Sequence, residues 1–176
     1  MSEQKSPEQP HSSREMAGYR GAIACSAAGI SYRQLDYWAR TGLVEPSIRT
    51  ASGSGTSRLY SFRDILVLKI VKRLLDTGIS LQNVRSAVEH LRARGTDDLA
   101  TLTLMSDGAS IYECASAEDV IDLLAGGQGV FGIAIGTVWR EVEGTLAQLP
   151  SENPDGVDAV ANGSDELALR RNRRGA

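Results

Sequence analysis

The chain of 176 residues predicts an α+β fold in two parts: a helix-rich N-terminal region over 19–95 and a small α+β unit over 99–149. Three observations carry this. Apolar residues recur at helical spacing up to about residue 95, cut into short helices by glycines and by serines that suit the N-cap. From about residue 99 the pattern changes to short extended runs broken by turn residues, then a helix, a glycine-rich strand and a last helix. Both ends, 1–18 and 150–176, are polar and poor in large apolar residues, and are expected to be disordered tails.

The elements follow in order. Tyr19 to Ala28 is a small-residue helix stopped by Gly29, which suits the left-handed C′ position. Ser31 caps a second helix from Tyr32 to Arg40, with Leu35 and Trp38 facing inward, and Gly42 ends it. Two short helices joined by a tight glycine turn are what a helix-turn-helix requires. Leu43–Arg49 and Arg58–Tyr60 then form two short arms around a Gly/Ser tip at 50–57, a wing with Arg49 and Arg58 on its arms. Ser61 and Asp64 open a helix with the stripe Ile65, Leu68, Val71, Leu75, and Thr77-Gly78 closes it. Ser80 caps the next, with Leu81, Val84, Val88 and Leu91 on one face and Arg85, Glu89 and Arg92 on the other. Gly95-Thr96-Asp97-Asp98 reads as a domain boundary.

In the second part, Leu102–Met105 and Ser110–Cys114 make a β-hairpin around Ser106-Asp107-Gly108-Ala109. Ser116 caps a helix over Ala117–Ala125, Gly129–Ile135 is a strand, and Thr137–Leu149 is an amphipathic helix with Val138, Val142, Leu146 and Leu149 along one face.

Composition narrows the function classes. With 41% hydrophobic and 23% charged residues the chain is of ordinary globular type. No apolar run approaches the roughly 18 residues of a spanning helix, and the N-terminus lacks the pattern of a secretory signal, so a cytoplasmic, nucleoid-associated protein without membrane contact is expected. Two cysteines, Cys25 and Cys114, and two histidines, His11 and His90, fall in no spaced set, so no metal, no cofactor and no disulfide framework is expected. No paired acid and base or nucleophile set points to an enzyme. The net charge of −3 hides an asymmetry: residues 1–95 hold 14 Lys/Arg against 8 Asp/Glu, whereas residues 96–176 hold 5 against 14. The basic half can meet a polyanion.

The run Gly29-Ile30-Ser31-Tyr32-Arg33-Gln34-Leu35-Asp36-Tyr37-Trp38-Ala39-Arg40-Thr41-Gly42-Leu43-Val44-Glu45-Pro46, then Arg58-Leu59-Tyr60-Ser61 and Leu75-Asp76-Thr77-Gly78-Ile79-Ser80-Leu81, closely resembles the MerR family of bacterial transcription regulators. The resemblance covers residues 19 to about 94 and is specific because several pieces occur in order. It implies a winged-helix homodimer that sets its second helix in the major groove of double-stranded promoter DNA and distorts it, with RNA polymerase as a further partner. On that reading Tyr32, Arg33 and Gln34 reach base edges, where Arg can pair with guanine and Gln with adenine. Tyr37 and Arg40 reach phosphates, and Arg49, Arg58 and Tyr60 of the wing suit backbone or minor-groove contact. For Tyr32, Arg33 and Gln34 the alternative is a solvated helix face. Asp36 departs from the family pattern, in which an arginine often stands before the aromatic pair; an acid there is expected to turn to a neighbouring Arg or a backbone amide.

The second part departs too, since hairpin and strand signals replace the long helix that forms a coiled coil in ordinary members. The expected dimer contact is therefore Val138, Val142, Leu146 and Leu149, or the strand at 130–135. Its subtype looks closest to small actinobacterial members with an atypical C-terminal domain. Gly127-Gln128-Gly129-Val130-Phe131-Gly132 matches G-x-G-x-x-G in form, but a helix precedes it and a strand follows, the reverse of a dinucleotide site. A competing reading makes the second part a sensor or protein-interaction module, with Tyr112, Phe131 and Trp139 lining a pocket and DNA binding secondary.

Overall fold

In the computed structural model of the chain, residues 17–51, 57–127 and 131–154 are described. Residues 1–16 of the expected N-terminal tail, the wing tip at 52–56 and residues 155–176 of the expected C-terminal tail lie outside them, whereas Gly18 and Glu152, expected in disordered tails, form an antiparallel bridge.

The chain opens with a short strand, β1 (Tyr19–Arg20), where the helix was expected to begin. It pairs antiparallel with β2 (Leu59–Tyr60), so Tyr19 faces Tyr60 and the start of the chain is tied to the base of the wing. Helix α1 (Gly21–Ala28) buries Ala24, Ala27 and Ala28, small side chains that let its neighbours approach, and ends at Gly29 with φ of 72°. Helix α2 (Tyr32–Arg40) buries Leu35 and Trp38. Its exit is fixed by Gly42, at φ of 70°, and by Leu43 N–H donating to the Trp38 carbonyl at 2.9 Å.

Helix α3 (Phe62–Asp76) is the centre of the molecule. Ile65, Leu66, Val67, Leu68, Ile70, Val71 and Leu74 are all buried, more than one face can supply, because α1, α4 (Leu81–Ala93) and the last helix pack around it. Leu75, placed by the sequence on the inward stripe, is only half-buried. The expected boundary at 95–98 is a short helix, α5 (Thr96–Thr101).

Beyond it, β3 (Thr103–Ser106) pairs antiparallel with both β4 (Ile111–Cys114) and β5 (Phe131–Ala134), giving the order β4-β3-β5. Helix α6 (Ala117–Ala125) is capped by Ser116 and Asp119 and buries no residue; Ile121 and Leu124 stand exposed on it. Helix α7 (Ile135–Leu146) buries Ile135, Val138, Val142 and Leu146 against α3, α1 and α5.

A single apolar cluster runs from Tyr19 and Leu35 through α3 and α4 to Leu102, Leu104, Val138 and Leu146. The elements before and after residue 95 therefore share one core. Glu141 of α7 reinforces the seam, facing Arg73 at 2.6 Å and Lys69 at 3.4 Å on α3, and Trp139 packs on Phe62 with ring centroids 4.7 Å apart. The two arginine and lysine partners hold the Glu141 carboxyl below its ordinary range, the Arg73 hydrogen bond first.

The same packing takes up most of the α7 stripe, one of the two expected dimer contacts. Val138 and Val142 have no accessible surface and Leu146 is 5% exposed within one chain, while Leu149 is half-buried against the same cluster. Val138, Val142 and Leu146 therefore have little apolar area left for a second copy, while Leu149 keeps part of its surface.

Candidate nucleic-acid interface

The opening turn of α2 is built by a capping box. The Ser31 hydroxyl accepts from the Gln34 backbone N–H at 3.2 Å, and the Gln34 side-chain oxygen accepts from the Ser31 N–H at 2.9 Å. Tyr32 and Arg33 project from that turn into solvent, Tyr32 being 65% exposed; Tyr37, a turn further on, is 48% exposed. Tyr32 and Tyr37 are two of four exposed large apolar side chains among the described residues, so α2 presents an aromatic and cationic surface rather than an ordinary solvated face.

Gln34 is placed differently from expectation. It is half-buried and its oxygen is held by the cap, so it cannot offer the oxygen-and-nitrogen pair that a two-point adenine contact needs without undoing the helix start.

Asp36 accounts for its departure from the family pattern by joining two arginines. Its Oδ1 accepts from Arg58 at 2.8 Å across the gap to the wing, and its Oδ2 faces Arg40 at 2.9 Å one turn along α2. The Arg58 hydrogen bond, with Arg40 adding its charge, holds the Asp36 carboxyl below its usual value, and Asp36 in turn raises Arg58. Arg40 keeps most of its surface in solvent, whereas the Arg58 side chain is 24% exposed.

The wing arms meet through backbone bonds: Leu59 N–H donates to the Arg49 carbonyl at 2.9 Å and Arg49 N–H to the Leu59 carbonyl at 3.2 Å. Arg49 Nε also donates to the Ser57 carbonyl at 3.1 Å, bracing one arm against the other. The first arm is pinned from below, because Asp64, which caps α3, also accepts from the Ser47 N–H at 2.8 Å and the Ser47 hydroxyl at 2.7 Å.

Tyr60 corrects the expected contact set. It has no accessible surface and forms part of the wall behind the hollow between α1, α2 and the wing. Its hydroxyl lacks a hydrogen-bond partner of good geometry, and burial pushes its pKa up to about 12, with the Arg58 charge pulling the other way. Tyr60 is a core residue beneath the wing, cross-strand from Tyr19.

Three arginines escaped the sequence reading. Arg85 on α4 donates to the Thr41 carbonyl at 3.1 Å and Arg92 to the Leu43 carbonyl at 2.8 Å, so α4 grips the carboxyl end of α2 and the turn after it. A cation there also suits the helix dipole. Their signal was the cationic face of α4 opposite its apolar stripe, which reads equally as a solvated face. Arg20 lines the hollow between α1, α2 and the wing, beside Tyr32, Asp36 and Arg58.

The three aromatic residues of the second part serve three places. Trp139 packs on Phe62, Tyr112 donates to Asp107 at 2.9 Å, and Phe131 lines a surface hollow with Arg73 and Thr77. Cys25 and Cys114 are free thiols, both pushed up by burial. Among the described residues no helix is long and apolar enough to cross a membrane.

The sequence is similar to those of known proteins. A family model described as MerR HTH family regulatory protein matches residues 19–91. An uncharacterized HTH-type transcriptional regulator of Mycobacterium bovis is 65% identical over 160 residues, which is 91% of this chain and 71% of that protein. The HTH-type transcriptional regulator HmrR of Sinorhizobium medicae is 29% identical over 83 residues, 46% of this chain and 54% of its own. The heavy metal-dependent transcription regulator 1 of Rhizobium meliloti is 33% identical over 74 residues, 42% and 48% of the two chains. The rhizobial proteins match less than half of the chain, whereas the mycobacterial likeness continues through most of it.

Proposed function

This chain belongs to the MerR family of helix-turn-helix transcriptional regulators, and from that premise we propose that it binds promoter DNA as a dimer and distorts it, with α2 in the major groove and the wing against the flanking backbone. The observation that supports this reading best is the brace between the two elements. A helix whose opening turn exposes Tyr32 and Arg33 is tied by Asp36 to the wing arginine Arg58, so both would approach a duplex as one rigid surface.

Roles within that surface differ. Arg33, exposed at the first turn, reads base edges; Tyr32 lies beside it and Tyr37 and Arg40 reach phosphates. Arg49 and Arg58 position the wing on the backbone. Gln34 and Tyr60 act from within, one as a cap and the other as core. The contact between copies lies outside the α7 stripe, because those side chains are already buried within one chain. RNA polymerase would be the machinery on which the distorted promoter acts.

Selection of duplexes from a random pool by the full chain, near physiological salt, tests the proposal. Two symmetric half-sites at fixed spacing are expected. A single half-site would overturn dimeric reading, and recovery of an unenriched pool would overturn sequence-specific binding.

A further inference from the structure

After α7 the chain turns over residues 147–149 and comes back to its own beginning. Gly18 N–H donates to the Glu152 carbonyl at 2.7 Å, and Glu152 N–H donates to the Gly18 carbonyl at the same distance, an antiparallel bridge at the edge of the β1–β2 pair. Gly18 suits this crossing because a Cβ there would meet Leu59 Cδ1 at 3.0 Å and Ile48 Cγ2 at 3.2 Å, both on the wing base. The bridge carries the Glu152 carboxylate to the arginines of the candidate interface. One oxygen is paired with Arg20, and the other faces Arg49 at 3.8 Å. Arg20 borders the hollow that Tyr32 and Arg58 also line, and Arg49 lies on the wing arm. All three side chains are open to solvent, at 62% for Arg20, 39% for Arg49 and 37% for Glu152.

We infer that Glu152 is a built-in competitor for DNA: its carboxylate occupies the two arginines that a backbone phosphate would take, and it must leave them when a duplex binds. The inference rests on the DNA-binding reading above. Two features separate it from a chance surface ion pair. The anchor of the segment is the backbone bridge to Gly18, so the carboxylate is held at the wing base whether or not it pairs. The acid also comes from the acidic part of the chain and meets the basic part at the face meant for a polyanion, where like charge would repel the ligand. Magnitude sets the expectation: an exposed ion pair holds back only a few-fold in an equilibrium, so Glu152 tunes binding and does not abolish it.

The test uses the full chain and a mixed-sequence duplex of about 30 base pairs, for which affinity is mostly phosphate contact. Glu152→Gln keeps the side-chain shape and the backbone bridge. It is expected to tighten binding about three- to fivefold at low salt, with the gain shrinking as salt screens the pair. Glu118→Gln on α6 removes the same charge away from these arginines and is expected to change affinity by less than about twofold. Adding Arg49→Gln to Glu152→Gln should erase most of the gain. Equal affinity of the wild-type chain and Glu152→Gln, or an equal gain from Glu118→Gln, would overturn the inference and leave the DNA-binding reading standing. Failure of both chains to bind any duplex would overturn that reading, and the inference with it.

Discussion

Asp36 in the middle of α2 and Arg58 at the base of the wing form an ion pair of 2.8 Å that ties the helix to the wing. The acid that looks unfavourable beside phosphate is spent on cations of its own chain. It leaves Arg40 and Arg58 pointing in fixed directions, which matters more for register than the single unit of charge it subtracts.

Asp36→Asn is expected to raise affinity for mixed-sequence DNA, since a negative charge leaves the interface, and to lower discrimination between the selected operator and mixed sequence, since the wing loses its tie. Titrating both duplexes measures the ratio. An unchanged ratio would show that Arg58 needs no tie to α2.

Arg33→Ala should cut affinity for the operator by about 1 to 3 kcal/mol while barely changing mixed-sequence binding, the mark of a base-reading side chain. Arg58→Ala should weaken both and leave the Asp36 carboxylate near the DNA with Arg40 as its remaining partner. Asp36→Asn in that background should therefore restore part of the loss. Uniform weakening by Arg33→Ala would make it a phosphate contact.

Tyr60→Phe separates core from contact. It removes a buried hydroxyl with no good partner, so stability should hold or rise by up to about 1 kcal/mol and operator affinity should be unchanged. The pH dependence has a definite sign. With a folded pKa of about 12 against an ordinary 10, Tyr60 contributes stability that is present below pH 10 and lost as pH rises through 12. Relative to Tyr60→Phe, the wild-type chain should lose at most about 1.4 kcal/mol per pH unit in that window, read by urea unfolding.

Two glycines in one stretch should respond differently to alanine. At Gly136 a Cβ would lie 2.3 Å from the Ala100 carbonyl oxygen, backbone that holds α5 against α7, so Gly136→Ala should cost at least about 2 kcal/mol. At Gly132 the nearest atom is Met105 Sδ at 2.7 Å, the flexible part of a side chain, and the cost should be smaller. Equal losses would mean that the α5–α7 approach can relax.

Val142→Ala tests the shared core. Val142 has no accessible surface, and its truncation should cost about 2 kcal/mol. In a Trp139→Phe background, where Trp38 in α2 is the remaining tryptophan, the loss should appear as one shifted transition seen alike by fluorescence and by far-UV signal. Two separated transitions would restore independent domains.

Much of this molecule was determined by local sequence chemistry. Ser31 with Gln34, Ser61 with Asp64, and Ser116 with the helix after it mark helix starts by hydrogen bonds that span three residues, and Gly29 and Gly42 mark stops by a backbone angle their neighbours avoid. The order of those signals suffices for the helix-turn-helix, the wing and the exposure of Tyr32, Arg33 and Tyr37. Tertiary structure alone decided which apolar stripe meets which. The α7 stripe is equally suited to a second copy or to α3, and only the presence of an unusually apolar α3, needing a third neighbour, selects the latter. Contacts between residues far apart in the chain left little local trace: the acid at position 36 pointed to a neighbouring Arg but did not single out Arg58, and Arg85 with the end of α2 and Glu152 with Gly18 are set by how the core brings surfaces together. Tyr60 shows the limit most plainly, for its place in the sequence put it at the wing and the pairing of β1 with β2 put it in the core.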